Sequence, residues 1–125
     1  MKRIISTAAA PPPAGAYAQA VAASGSFVFV SGQTPRLADG TRLVDVPFEQ
    51  QARQALENVR ILAAEAGCDL SRDCVQLGVF LRDMANRATF DTVMAEFTAL
   101  SPPARWLVQS DIPVELQVQA VLVCP

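Results

Sequence analysis

The C-terminal half of the chain is dominated by alternating apolar and polar residues, a period of two that predicts β-strands. The alternation runs over residues 74–81, 104–110 and 114–123. Only Asp111-Ile112-Pro113 separates the last two stretches. A connection this short predicts that these two strands form a hairpin.

Shorter β-rich segments are predicted near the N-terminus. Residues 2–6 are expected to form a short edge strand. Three consecutive prolines at 11–13 then force an extended path, because each fixes φ and lacks an N–H donor. Residues 16–22 and 26–31 flank a Ser24-Gly25 turn signal, so they are predicted to pair as a second hairpin.

A period of 3.6 residues predicts two helices. The first begins near Asp45, its candidate N-cap, carries Pro47 in the first turn, and ends at Gly67. Its apolar stripe consists of Phe48, Ala52, Ala55, Leu56, Val59, Ala63 and Ala66. The second helix is predicted over residues 87–100, where Ser101-Pro102-Pro103 stops it.

The element order β-β-α-β-α-β-β predicts an α+β fold with two helices on one face of a sheet. Residues 69–73 are expected to form the loop after the first helix. Alternation assigns apolar and amide side chains, together with one arginine, to the other face: Arg105, Leu107, Gln109, Gln117, Gln119 and Val121. Such a face is better covered by another copy of the chain than left in water, so a homo-oligomer is predicted.

The composition indicates one domain over residues 1–125 and argues against several function classes. Hydrophobic residues make up 51% of the chain and charged residues 18%, which fits an interface between copies. The net charge is −2 and there is no basic stripe, so nucleic-acid binding is not expected. Neither a membrane span nor a signal peptide is expected, because the apolar runs are short and the N-terminal one is broken by proline.

Cysteine and histidine usage argues against a metal site. Cys68, Cys74 and Cys124 are an odd set at irregular spacing. We expect them to be reduced thiols of a cytoplasmic protein, neither a disulfide framework nor a metal site. The chain contains no His.

Arg105 is the most conspicuous polar residue, because it follows a Pro-Pro-Ala turn directly and begins an apolar strand. Its planar guanidinium matches a carboxylate through two parallel hydrogen bonds. Two interpretations stay open at this point. Arg105 either binds a ligand, or is structural, being exposed at the strand start or paired with a carboxylate of its own chain.

Four segments, in order along the chain, carry a family resemblance: Gly15-Ala-Tyr17-Ala-Gln19, Val30-Ser31-Gly32-Gln33-Thr34-Pro35, Gln51-Ala-Arg-Gln-Ala-Leu-Glu-Asn58 and Pro103-Ala-Arg105. They resemble the RidA/YjgF family of reactive-intermediate deaminases, also called the L-PSP endoribonuclease-like family. The resemblance implies a chorismate-mutase-like fold of the bacillus type and a homotrimer with clefts between subunits. It also implies hydrolysis of small enamine or imine intermediates, 2-aminoacrylate-type 2-imino acids, to 2-ketoacids and ammonia, without cofactor or metal.

The resemblance implies roles for residues at the matching positions. Arg105 would anchor the substrate carboxylate as a bidentate fork. Tyr17 would line the cleft and hold the substrate or its water through the phenol oxygen. Ser31 and Gly32 would supply the wall and backbone contacts. An imine hydrolyses once a water is placed and the substrate is oriented, so a fixed carboxylate is useful.

The chain departs from the family pattern at three positions. Leu107 stands where the deaminases carry Cys, and Arg87 where an aromatic residue often lines the pocket. Gln119 stands where the deaminases place the Glu that orients the attacking water. Gln119 can accept a hydrogen bond but cannot take a proton. The only carboxylate on that strand is Glu115, about 13 Å from Gln119 along an extended strand.

These departures keep more than one function open. The first candidate is a deaminase with Arg105, Tyr17 and Gln119 at its catalytic centre. The second is a non-catalytic trimer that binds a small carboxylate, which Gln119 favours. Independently of these candidates, Gln117 and Gln119 can be read as a polar ladder at an interface. The third is imine or enamine processing in a specialised pathway. Endoribonuclease activity is disfavoured by the absence of His and of a basic stripe.

Overall fold

The computed structural model describes residues 1–125. Six strands are present: β1 (Lys2–Ile5), β2 (Ala20–Ala23), β3 (Ser26–Gln33), β4 (Cys74–Leu81), β5 (Ala104–Gln109) and β6 (Leu116–Cys124). The helices are α1 (Phe48–Glu65), α2 (Leu70–Asp73) and α3 (Arg87–Thr98), with a 3₁₀ turn at Met84–Asn86. The predicted α+β class, with a sheet and two main helices, is confirmed. No helix combines the length and the apolar character needed to cross a membrane.

The main sheet has four strands in the order β3-β6-β4-β5. β5 runs parallel to β4, while β6 lies antiparallel between β3 and β4. The predicted hairpin of the last two strands is therefore wrong. The reason is that α3 connects β4 to β5 as a crossover, which makes these two strands parallel and leaves the other edge of β4 for β6.

β1 and β2 form a separate two-stranded sheet, with Lys2 opposite Ala23. The short N-terminal strand is thus confirmed, but the predicted hairpin between residues 16–22 and 26–31 is wrong. β3 pairs with the long β6 instead, with Val28 opposite Leu122 and Val30 opposite Ala120. Pairing with β6 lets the alternating apolar residues of both strands face the helices.

α1 is the central helix of the layer that covers the sheet, and its predicted apolar stripe is largely buried. Asp45 is not its N-cap, because the helix begins after Pro47 and has no side-chain cap. Gly67 adopts φ 83° just past the helix, as predicted, since this left-handed backbone costs glycine least. Residues Leu70–Asp73, predicted as loop, form one helical turn that Asp69 caps through Ser71 N.

The core lies between the helices and one face of the sheet. Its largest members are Phe90, Leu56, Leu70, Leu77, Leu81, Met94, Leu116 and Leu122. α3 contributes Phe90, Val93 and Met94 to it and ends at Thr98, two residues earlier than predicted. The sheet therefore has one face covered by helices and one face that is open within the single chain.

The open face differs from the prediction in β5. Arg105 is in register with Leu77, and Leu107 with Val79, so both point toward the helices. The Arg105, Leu107 and Gln109 side of β5 was expected on the open face, and this expectation is wrong. Trp106 lies on the open face instead and packs edge-on against Phe80, with ring centroids 5.0 Å apart. Gln117, Gln119 and Val121 lie on the open face, as predicted.

The prediction of three reduced thiols is also wrong. Cys68 and Cys124 form a disulfide, with their Cα atoms 5.2 Å apart. The fold makes this pairing accessible because the loop after α1 meets the end of β6, although the two cysteines are 56 residues apart. Cys74 is a buried free thiol, and burial raises its pKa to about 12.

We expect iodoacetamide at pH 8 to leave the folded, unreduced protein unmodified. Cys74 stays protonated at this pH because its pKa is raised to about 12, and only the thiolate reacts. Unfolding in guanidinium chloride without reductant should expose Cys74 alone. Added reductant should then expose Cys68 and Cys124, as measured by peptide mass spectrometry. Labelling of Cys124 before reduction would contradict the disulfide.

Candidate functional site

A cavity of about 230 Å³ opens at the sheet edge that β5 forms. Its walls are Tyr17, Met84, Arg87, Arg105 and Leu107. All of these except Met84 are residues that the sequence predicts for a substrate-binding site. The structure therefore brings four predicted residues from three separate segments to one place.

The Arg105 guanidinium is almost entirely buried, because β5 directs it toward α3. Its side chain is 3% exposed. Nη1 donates a hydrogen bond to Asp91 Oδ1 and lies 3.4 Å from Met94 Sδ. The guanidinium carbon lies 4.7 Å from the centre of the Tyr17 ring. A buried cation needs such partners, since an unpaired charge in a low dielectric is costly.

Tyr17 is held over the guanidinium by a short loop. Its phenol oxygen accepts a hydrogen bond of 3.1 Å from Ala14 N, and its own N–H donates to Gly15 O at 2.9 Å. Ala18 N donates to Pro103 O at 2.8 Å, which ties this loop to the start of β5. The phenol hydrogen is not used in these contacts, so it can be donated to a ligand.

Arg87 begins α3 and forms the more exposed cationic wall, with a side chain 43% exposed. Its Nη2 donates a weak hydrogen bond to Ala14 O at 3.4 Å. Its Nε lies 4.0 Å from Asp91 Oδ2. Asp91 thus lies between the two guanidinium groups of the cavity.

Gly15 packs closely against the ion pair. A methyl group on its Cα would lie 2.7 Å from Asp91 Oδ2 and 3.1 Å from Arg105 Nη2. Alanine would therefore fit only if the Asp91 side chain shifted away from its present position. The backbone ahead of Tyr17 and the Asp91–Arg105 pair are fitted to each other.

Ser31 and Gly32 do not reach this cavity within one chain. They lie on β3, which forms the opposite edge of the sheet from β5. Three strand spacings separate these edges, roughly 14 Å. Gly32 instead lines a separate cavity of about 430 Å³ with the loop that follows β3 and residues of α1, including Asn58 and Leu62.

Gln119 lies on the other face of the sheet from Arg105. It is in register with Gly78, against which Trp106 also packs, whereas Arg105 is in register with Leu77. Gln117 lies two residues earlier on the same face, and its side-chain amide packs against the Cα of Gly32. Of the two glutamines, Gln117 is therefore the one beside the predicted Ser31-Gly32 wall.

Sequence reasoning missed Asp91 and Met84. The spacing of Arg87 and Asp91, four residues apart on a helix, indicates that they face each other. No sequence signal links either of them to Arg105, which lies beyond the helix. The structure contains no group of three or more His, Cys, Asp or Glu side chains that could hold a metal ion.

Comparison with known proteins identifies the class. Residues 7–122 match the family model described as Endoribonuclease L-PSP, so the chain belongs to this family and the RidA/YjgF resemblance is confirmed. A RutC family protein of Pyrococcus horikoshii is 37% identical over 120 residues, covering 95% of this chain and 94% of the relative.

Two further relatives bear on function. A protein of Dermatophagoides farinae named 2-iminobutanoate/2-iminopropanoate deaminase is 36% identical over 104 residues, covering 83% of this chain and 80% of the relative. The crystal structure of Escherichia coli TdcF with bound serine superposes with a TM-score of 0.73 at 33% identity. It covers 98% of this chain and 99% of TdcF.

Proposed function

We propose that the protein hydrolyses small enamine or imine intermediates, 2-aminoacrylate-type 2-imino acids, to 2-ketoacids and ammonia. Arg105 is paired with Asp91 of its own chain, as the structural interpretation of this residue predicts. The observation that carries the proposal is that the same guanidinium also lies in the wall of a cavity of about 230 Å³. Tyr17 and Leu107 complete that wall around a space suited to a small carboxylate. The name of the mite relative, an iminobutanoate/iminopropanoate deaminase, and the serine bound in TdcF support this substrate class.

The proposed reaction balances with water as the only co-reactant. The enamine first gains a proton at its terminal carbon and loses one from nitrogen, which gives the imine. Water then adds across the C=N bond, with its oxygen on carbon and one proton on nitrogen, to give a carbinolamine. The hydroxyl proton passes to the nitrogen as the C–N bond breaks, so that ammonia leaves and the carbonyl forms. Arg105 would fix the carboxylate next to the reacting carbon, and the Tyr17 hydroxyl would donate to the substrate or its water. No step requires a cofactor or metal.

We further propose that the complete site lies between subunits of a chorismate-mutase-like homotrimer. Within one chain the Arg105 cavity and the Ser31-Gly32 wall are at opposite edges of the sheet, so one ligand cannot contact both. A second copy that presents its β3 beside the first copy's β5 would join them. The exposed Phe29 on β3, 75% exposed, and the open face around Trp106 offer apolar surface for such contacts. We also propose a cytoplasmic location for this assembly.

The non-catalytic alternative keeps one specific observation in its favour. β6 presents amides where a water-orienting carboxylate is expected. The nearest carboxylate in sequence, Glu115, lies just before β6 and is paired with Arg82. A trimer that binds a small carboxylate without turnover would retain Arg105 and lack the carboxylate. Activity measurements separate the two functions.

Sedimentation equilibrium of the purified protein should give about three times the chain mass of 13.3 kDa. The need for a neighbouring copy follows from the two half-sites at opposite sheet edges. The number three is what the family resemblance implies. A monomer at micromolar concentration would contradict the composite site.

A coupled assay should show faster ammonia release when a pyridoxal-phosphate enzyme generates 2-aminoacrylate or 2-iminobutyrate in the presence of the protein. Arg105→Lys should reduce this acceleration about 100-fold, because an ammonium cannot reproduce the bidentate fork. Arg82→Lys, which alters a more exposed ion pair with Glu115, is the matched control and should retain activity. No acceleration by the wild type, with 2-ketoacid binding intact, would leave the non-catalytic trimer.

Glutamate substitutions test where water is oriented. The family resemblance places the water-orienting Glu at Gln119. In the structure, however, Gln117 is the glutamine that lies beside Gly32, part of the proposed substrate-binding wall. We expect Gln117→Glu to raise kcat about tenfold or more, as a general base typically contributes at least that much. Gln119→Glu, beside Trp106, should change kcat less. The reverse order would assign the water-orienting position to Gln119.

A further inference from the structure

Asp91 is the one carboxylate shared by the two guanidinium groups that line the Arg105 cavity. Its Oδ1 contacts Arg105 Nη1, and its Oδ2 lies 4.0 Å from Arg87 Nε. Asp91 does not itself form part of the cavity wall, and its side chain is only 19% exposed. It can therefore influence a ligand through the two arginines without touching it.

The Asp91–Arg105 contact competes with ligand binding. Nη1 already donates hydrogen bonds to Asp91 and Met94. A ligand carboxylate can therefore use only the remaining guanidinium donors without displacing one of these contacts. A ligand carboxylate that binds through Nη1 and Nη2 competes with Asp91 for Nη1. Arg87 is already within reach of the other carboxylate oxygen, so Asp91 would keep a counter-ion after that exchange.

These three side chains are the charged groups that one chain brings to the site. Two arginines and one aspartate leave a net charge of +1. A ligand with one carboxylate neutralises the site, whereas a dicarboxylate leaves a negative charge without a partner. In a partly buried site such an uncompensated charge is costly, because the effective dielectric is well below that of water.

We propose that Asp91 sets the charge selectivity of the cavity. In the free protein Asp91 forms an ion pair with Arg105. When a ligand carboxylate binds Arg105, Asp91 pairs with Arg87 instead. The resulting charge balance restricts ligands to small monocarboxylates. Met84 and Leu107 on the remaining wall fit the uncharged side chain of such a ligand. The inference rests on the proposed function for its ligand class but concerns binding, not turnover. Asp91 acts here as a positioning residue.

Isothermal titration of the full-length protein with 2-oxobutanoate and 2-oxoglutarate tests the proposal. Wild type should bind the monocarboxylate 2-oxobutanoate more tightly. Asp91→Asn raises the net site charge to +2, and should improve 2-oxoglutarate binding relative to 2-oxobutanoate on the order of tenfold. Arg87→Gln lowers the site charge to zero and should shift the ratio the other way.

The Asp91→Asn/Arg87→Gln double variant separates charge balance from packing. It restores the net charge of +1, so the ratio of the two affinities should return to within about threefold of wild type. A purely structural role for Asp91 would leave the double variant at least as perturbed as either single variant. That outcome would overturn the proposal.

Glu96→Gln is the matched control, because it removes one negative charge from the same helix but from a residue that pairs with Arg53. It should leave the affinity ratio unchanged.

A fallback is needed if circular dichroism shows that Asp91→Asn does not fold. In that case Arg87→Gln and the charge-conserving Asp91→Glu test the proposal, and Asp91→Glu should keep the wild-type affinity ratio. No binding of either ketoacid to wild type would also overturn the proposal. Failure of the deaminase function would appear separately, as intact binding without faster ammonia release.

Discussion

The buried guanidinium of Arg105 is the constraint on which the candidate site depends. A cation that is 97% removed from solvent must be neutralised locally, and Asp91 on α3 supplies the charge. Tyr17 covers the cation with its ring, and Gly15 leaves room for the ion pair beneath the loop. Helix, strand and N-terminal loop are thus fixed relative to each other by one charged group.

The parallel pairing of β4 and β5 explains why this cation is buried at all. Register with Leu77 turns Arg105 toward the helices, and the same register turns Trp106 to the open face. If β5 had paired with β6 as a hairpin, nothing would have required the crossover helix α3 to lie above Arg105. The connection that carries Asp91 is therefore also the connection that sets the strand direction.

The site residues that the family resemblance implies do not all meet within a single chain, but fall into two groups. Tyr17, Arg87, Arg105 and Leu107 meet at one cavity within the single chain. Ser31 and Gly32 belong to the opposite edge, where Gln117 covers Gly32. The proposed assembly of copies would bring both edges to one site and would also cover the apolar open face.

Local patterns in the sequence determined much of this protein. Helical spacing located α1 and its C-terminal glycine, alternation located β4, β5 and β6, and the motifs around Tyr17 and Arg105 identified the family. These features depend on neighbouring residues, so they are readable from the chain. Strand order, the partner of β2 and the Cys68–Cys124 disulfide depend on contacts between distant segments. Alternation shows that Arg105 and Trp106 point to opposite sides, but only the tertiary structure decides which side meets α3, because that choice depends on the partner strand and its register.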